Sequence, residues 1–118
     1  MMKVTFNGSP LTLEGNTLKV GDTVPNFTAI GNDLNPVSLN DTKGKRVFLS
    51  VPSLDTSVCD IEVRKFNEEV SKLSNVHVYT LSMDLPFAQA RWCGAANINN
   101  VTTLSDYKDR EFGKNFGV

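Results

Sequence analysis

The chain has 118 residues, enough for one domain and too few for two of ordinary size. Twelve basic residues stand against thirteen acidic ones, for a net charge of −1, which argues against nucleic acid or an anionic membrane as the main partner, because both need a basic face. Apolar residues make up 40% and charged residues 21%, a globular composition, and no apolar run approaches the roughly 20 residues of a membrane helix.

The segment from Met1 to Gly8 has no long apolar core ahead of a cleavage site, so no signal peptide is expected and the protein reads as cytoplasmic. Val4-Thr5-Phe6 and Leu11-Thr12-Leu13 flank Asn7-Gly8-Ser9-Pro10, which predicts a short β-hairpin. Phe27 to Ile30, introduced by Pro25, predicts a strand, and the Asn-, Asp-, Pro- and Gly-rich stretch from Gly31 to Lys45 predicts a loop. Val47 to Val51 is β-branched and apolar, the pattern of a fully buried strand. From Ser57 to Leu73 the period changes. Val63, Phe66, Val70 and Leu73 recur at steps of three and four, as on an amphipathic helix. Ser57-Val58-Cys59-Asp60 resembles a capping box with Asp in place of Glu. Val76 to Ser82 predicts another strand, Pro86 to about Ala95 a helix with proline in its first turn, Val101 to Leu104 a strand, and Lys108 to Phe116 a last helix. Strands alternating with helices predict an α/β domain with a mainly parallel sheet. The pattern breaks off at Val118, where another strand is expected, so the single domain 1–118 reads as C-terminally incomplete.

Cys59 carries the chemical interest. It falls just past a buried strand, in the first turn of the predicted helix, where unpaired amides and the positive end of the dipole stabilise a thiolate. The thiolate is the reactive form of cysteine. A buried structural cysteine is the plainer alternative. Thr56 lies one turn earlier, where its hydroxyl can reach the sulfur or a substrate oxygen, and Pro52 can fix the chain leaving the strand and shield the sulfur.

The text P-x-x-x-T-x-x-C from Pro52 to Cys59 resembles the active-site motif of the peroxiredoxins. Val51 to Cys59, Val63 to Asn67 and Asp84 to Gly94 together resemble the thiol peroxidase subfamily, and the likeness runs the length of the chain. The resemblance implies a thioredoxin-like fold carrying an N-terminal hairpin and, in this chain, lacking the C-terminal strands and helix. It implies a peroxidase that reduces hydrogen peroxide and organic hydroperoxides, with Cys59 as peroxidatic cysteine assisted by Pro52 and Thr56. It also implies Cys93 as resolving cysteine, thioredoxin as electron donor, a homodimer, and no metal or organic cofactor. A Cys59–Cys93 bridge would close a loop of about 34 residues, worth roughly 4 kcal/mol in the chain-entropy account, and would require local unwinding of one or both helix ends. The family's arginine lies on a later strand and has no match here. Arg64 reads as a solvated helix residue, and Arg91 as a support of the site or of a dimer contact.

Other signals point away from alternative chemistry. His77, the single histidine, falls in an apolar strand and reads as structural. Two cysteines and one histidine fall short of a four-ligand zinc site, and no C-x-x-C occurs. Phe48, Phe66, Phe87, Trp92 and Phe116 read as core or interface residues, with Phe87 and Leu54 also able to line an apolar entrance. The rival to an enzyme is a non-catalytic thiol sensor or binding module on the same fold.

Overall fold

The structure is a computed structural model that describes residues 3–6, 8–12, 15, 18–42, 44–70, 72–73, 76–96 and 101–117. Strands β1 (Lys3–Phe6) and β2 (Ser9–Thr12) pair antiparallel across the turn at Gly8, as the hairpin pattern predicts. Asn7 and Leu13 of that prediction lie outside the described residues, as does Val118. The remaining strands are β3 (Thr28–Gly31), β4 (Pro36–Ser38), β5 (Lys45–Ser50), β6 (Val76–Ser82) and β7 (Val101–Ser105). They form one sheet in the order β4-β3-β7-β6-β5. Helices α1 (Ser57–Val70) and α2 (Pro86–Ala96) connect β5 to β6 and β6 to β7, and α3 (Glu111–Phe116) follows β7.

The sheet is mixed rather than mainly parallel. β5, β6 and β7 are parallel because a helix crosses over between each pair, but β3 runs antiparallel to both β4 and β7. The predicted loop 31–45 contains β4 and a 3₁₀ turn, Leu39–Asp41, closed by the Asp41 carboxylate accepting from the Ser38 amide at 2.9 Å. Helix α1 ends at Val70, short of the predicted Leu73, which is exposed, and α3 starts three residues later than predicted.

Strand side chains alternate between the two faces of the sheet. On one face Leu49, Val51, Val78 and Val101 join Leu54 and Val63 in an apolar cluster beneath α1, with Cys59, Phe66 and Trp92 packed at its margin. On the other, Leu81, Leu104 and Ala29 meet Phe27 and Phe112. Phe27 sits edge-on to Phe48, Phe112 and Phe116, with centroids 5.2–5.8 Å apart, the favoured geometry for aromatic pairs. The face beneath α1 changes character toward the C-terminal ends of β6 and β7. There Thr80, Ser82, Thr103 and Ser105 alternate onto it, all buried, so that Gln89 and Cys93 of α2 lie over hydroxyls.

The N-terminal segment docks on α3 through Gly15, which has φ +95 and approaches the Lys114 backbone so closely that a Cβ would collide with it. Only glycine fits there.

Candidate active site

The site begins where β5 ends. The Val51 amide donates to the Leu81 carbonyl, and the Pro52 carbonyl accepts from the Met83 amide at 3.2 Å, so the exiting chain stays fastened to β6. Residues Ser53 to Thr56 then make a tight turn. The Ser53 hydroxyl accepts from the Asp55 amide at 3.1 Å, and the Thr56 hydroxyl donates to the Ser53 carbonyl at 3.0 Å. Asp84 locks this turn from outside. Its carboxylate accepts from the Ser53 hydroxyl at 2.6 Å, the Leu54 amide at 2.7 Å and the Ser82 hydroxyl at 2.8 Å. Sequence reasoning included Asp84 in a motif but gave it no role. The signal was an aspartate immediately after a buried strand, with Ser82 two residues before it.

Helix α1 starts from this turn. Its first intrahelical bond runs from the Asp60 amide to the Thr56 carbonyl at 2.9 Å, which leaves the earlier amides of the first turn without a helical acceptor. Cys59 is the third residue of the helix, half-buried against the apolar cluster, and is a free thiol. Leu54 is fully buried in that cluster and does not line an entrance, whereas Phe87 is exposed. The Asp60 carboxylate pairs with Arg64 on the next turn instead of serving the expected capping box.

Cys93 is the second free thiol, half-buried on α2. Its sulfur lies 3.6 Å from the Thr103 hydroxyl, and that hydroxyl donates to the Asn32 side-chain oxygen at 3.0 Å. Burial pushes the Cys93 thiol above its ordinary value of 9.0, and Thr103 works in the opposite direction because its hydroxyl can turn toward a thiolate. The structure therefore holds the two cysteines on neighbouring helices, each with its own partners and unbonded to the other.

Two cavities flank the site. One, of about 310 Å³, opens on the α3 side beside Pro52, Met83, Asp106 and Arg110. Cys59 is not among its lining residues. The other, of about 470 Å³, is lined by Cys93, Thr103, Asn32 and Asp33. Asp106 is a second carboxylate that the sequence reading passed over. It accepts from the Phe112 and Gly113 amides at 3.1 and 2.9 Å and seats α3 against the end of β7. His77 is exposed on β6, opposite Arg46 of β5. Among the described residues no group of three or more His, Cys, Asp or Glu is placed to hold a metal ion, and no helix is long and apolar enough to cross a membrane.

A cysteine in the first turn of a helix, set on a sheet with parallel β-α-β crossovers, is the arrangement of a redoxin. The chain belongs to the redoxin family, whose profile matches residues 19–118. It is 61% identical over 117 residues to a thiol peroxidase of Clostridium acetobutylicum, covering 99% of this chain and 71% of that relative. It is 57% identical over 119 residues to a thiol peroxidase of Bacillus subtilis, covering all of this chain and 71% of the relative. Among solved structures, a peroxiredoxin-like protein from Aquifex aeolicus superposes with a TM-score of 0.90 at 44% identity, covering 98% of this chain and 68% of that one. A thiol peroxidase from Chromobacterium violaceum gives a TM-score of 0.89 at 19% identity, covering 100% of this chain and 69% of that one, and shows the shared fold. The resemblance to the thiol peroxidases and the thioredoxin-like α/β class are thereby borne out, and with them the enzyme class, a peroxidase.

Proposed function

We propose that the protein reduces hydrogen peroxide and organic hydroperoxides through Cys59, and that Cys93 resolves the oxidised sulfur for recycling by thioredoxin. The observation that carries this reading is Cys59 itself, in the first turn of α1 on a turn clamped by Asp84. The open amides there favour an anionic sulfur. The Cys59 thiolate attacks one peroxide oxygen. An S–O bond forms, the O–O bond breaks, and the departing oxygen takes a proton to leave as water or an alcohol. Thr56 spends its proton on Ser53 and so presents lone pairs to accept the O–H of the incoming peroxide. Pro52 holds the chain leaving β5 against β6 through its carbonyl, and in this scheme its ring screens the sulfur.

The Cys93 thiolate then attacks the Cys59 sulfenic acid. The S–S bond forms, the S–O bond breaks, and the oxygen leaves as water with the proton that Cys93 gives up. Thioredoxin reduces the disulfide by thiol–disulfide exchange. We assign this activity to the cytoplasm and to a homodimer, for which exposed Met83, Leu85 and Phe87 at the start of α2 offer apolar surface.

A coupled assay with thioredoxin, its reductase and hydrogen peroxide tests the scheme. Cys59→Ser abolishes consumption. Cys93→Ser reacts once with peroxide and does not recycle. Wild-type turnover by Cys93→Ser would contradict the assignment of the resolver.

A further inference from the structure

We infer that Arg64 is a latch holding α2 against α1 in the reduced protein, and that release of this latch gates the disulfide step. The inference rests on the reading of Cys93 as resolving thiol. It begins with a residue that the sequence presents as an ordinary solvated helix position. Arg64 Nε donates to the carboxylate of Asp60, the residue after Cys59. The same guanidinium lies 5.8 Å from the ring centroid of Trp92, the residue before Cys93. That separation is within the range of a cation–π contact. One side chain therefore touches the neighbour of each cysteine. Asp60 fixes the guanidinium on α1, and Trp92 is its contact on α2.

The two halves of α2 are held differently. Its first turns are anchored by buried Pro86 and by buried Gln89, whose side-chain amide donates to the Ser82 hydroxyl at 2.9 Å and the Leu104 carbonyl at 2.8 Å. Beyond Gln89, residues Ala90, Arg91, Gly94 and Ala95 are exposed, and Gly94 weakens the helix relative to alanine. Beneath Gln89 and Cys93 the bed of α2 is made of hydroxyls, so lifting this half uncovers aliphatic surface where Trp92 packs on the α1 cluster. Among the described residues, its inward contacts include the Cys93–Thr103 hydrogen bond and the packing of Trp92 at the margin of the α1 cluster, beneath Arg64. In this reading Cys93 leaves Thr103 to reach Cys59 as α2 opens from about Ala90 onward. Opening removes Trp92 from Arg64. The rate at which Cys93 meets the sulfenic acid therefore depends on that contact, as does the time for which Cys59 stays open to a second peroxide and overoxidation.

Trp92 is the single tryptophan, so its emission reports the latch directly. Arg64→Met keeps the apolar stem and removes the charge, and Arg64→Lys keeps a charge with weaker stacking. In the reduced protein, Arg64→Met should shift Trp92 emission and speed amide exchange across Ala90–Ala96 by about two- to fivefold, the equilibrium factor that an exposed cation–π contact supports. In single turnover, the peroxide step should stay within about twofold of wild type while disulfide formation speeds by about the same two- to fivefold factor, with Arg64→Lys in between. Unchanged exchange in α2 would overturn the latch. A slowed peroxide step with unchanged disulfide formation would overturn it too, and would place Arg64 in the service of the thiolate. Faster exchange in a protein whose wild type forms no Cys59–Cys93 disulfide would overturn the gating and the resolving role of Cys93 together, while the contact itself stands.

Discussion

Asp84 does more for the turn that leads to Cys59 than any other described side chain around it. Three donors converge on its carboxylate, two of them from the turn that delivers Cys59. Hydrogen bonds to a charged group contribute more than neutral ones, and a donor left unpaired near the core carries its full desolvation cost. Asp84→Ala should lower stability by about 1–3 kcal/mol in denaturant titrations and slow the reaction of Cys59 with peroxide. An unchanged peroxide rate would separate the turn from the chemistry. Cys93 gives a prediction of another kind. Burial raises its pKa above that of a free thiol, so the folded state favours the neutral form. That preference supports the fold fully while the unfolded chain is also protonated, and is lost as pH rises through the folded value. The stability gap between reduced wild type and Cys93→Ser should therefore be constant below about pH 9 and shift against wild type above it. A gap that does not change with pH would contradict this. At this scale the sequence shows Pro52, Thr56 and Cys59 through their spacing. It does not show that Asp84 reaches back 30 residues to Leu54, because that depends on where β6 ends relative to β5, nor that the Thr56 proton goes to Ser53, because that depends on the conformation of the turn.

Elements differ in how plainly they are written in the chain. Helix α1 is legible because Val63, Phe66 and Val70 pack onto an aliphatic sheet face and so must recur at helical spacing. Its end at Val70 is less legible, since Leu73 continues the pattern and yet stays in solvent. Strand β4 is missed because three residues containing proline and serine look like the loop around them. The antiparallel pairing of β3 is missed because alternation of strands and helices describes only the β5–β7 run. Helix α2 is legible through Pro86 and the motif, whereas its polar bed is not, because burial of Thr80, Ser82, Thr103 and Ser105 emerges only once the strands are in register. Gln89 is the inward anchor of that helix. Gln89→Leu should leave the Leu104 carbonyl and Ser82 hydroxyl short of a partner and cost about 1–3 kcal/mol. Amide exchange should then rise throughout α2 and not only after Ala90. Protection of Pro86–Ala90 equal to wild type would show that the anchor lies elsewhere.

For the molecule as a whole, the two faces of the sheet divide the work. The aromatic cluster around Phe27 and the aliphatic cluster around Val63 hold the sheet from opposite sides and leave one region, under α2, bedded on hydroxyls. The thiol on the firmly packed helix is the one assigned to meet peroxide, and the thiol on the lightly bedded helix is the one assigned to move. The most direct test is intact-mass spectrometry of the reduced protein after one equivalent of hydrogen peroxide, with Cys59→Ser and Cys93→Ser alongside. Wild type should lose both thiols and gain no oxygen, as an internal Cys59–Cys93 disulfide. Cys93→Ser should gain one oxygen atom, trappable as a sulfenic acid at Cys59, and Cys59→Ser should remain unmodified on that timescale. Oxidation of Cys59→Ser as fast as wild type, or a wild type that stops at an oxygen adduct with Cys93 still free, would contradict the account.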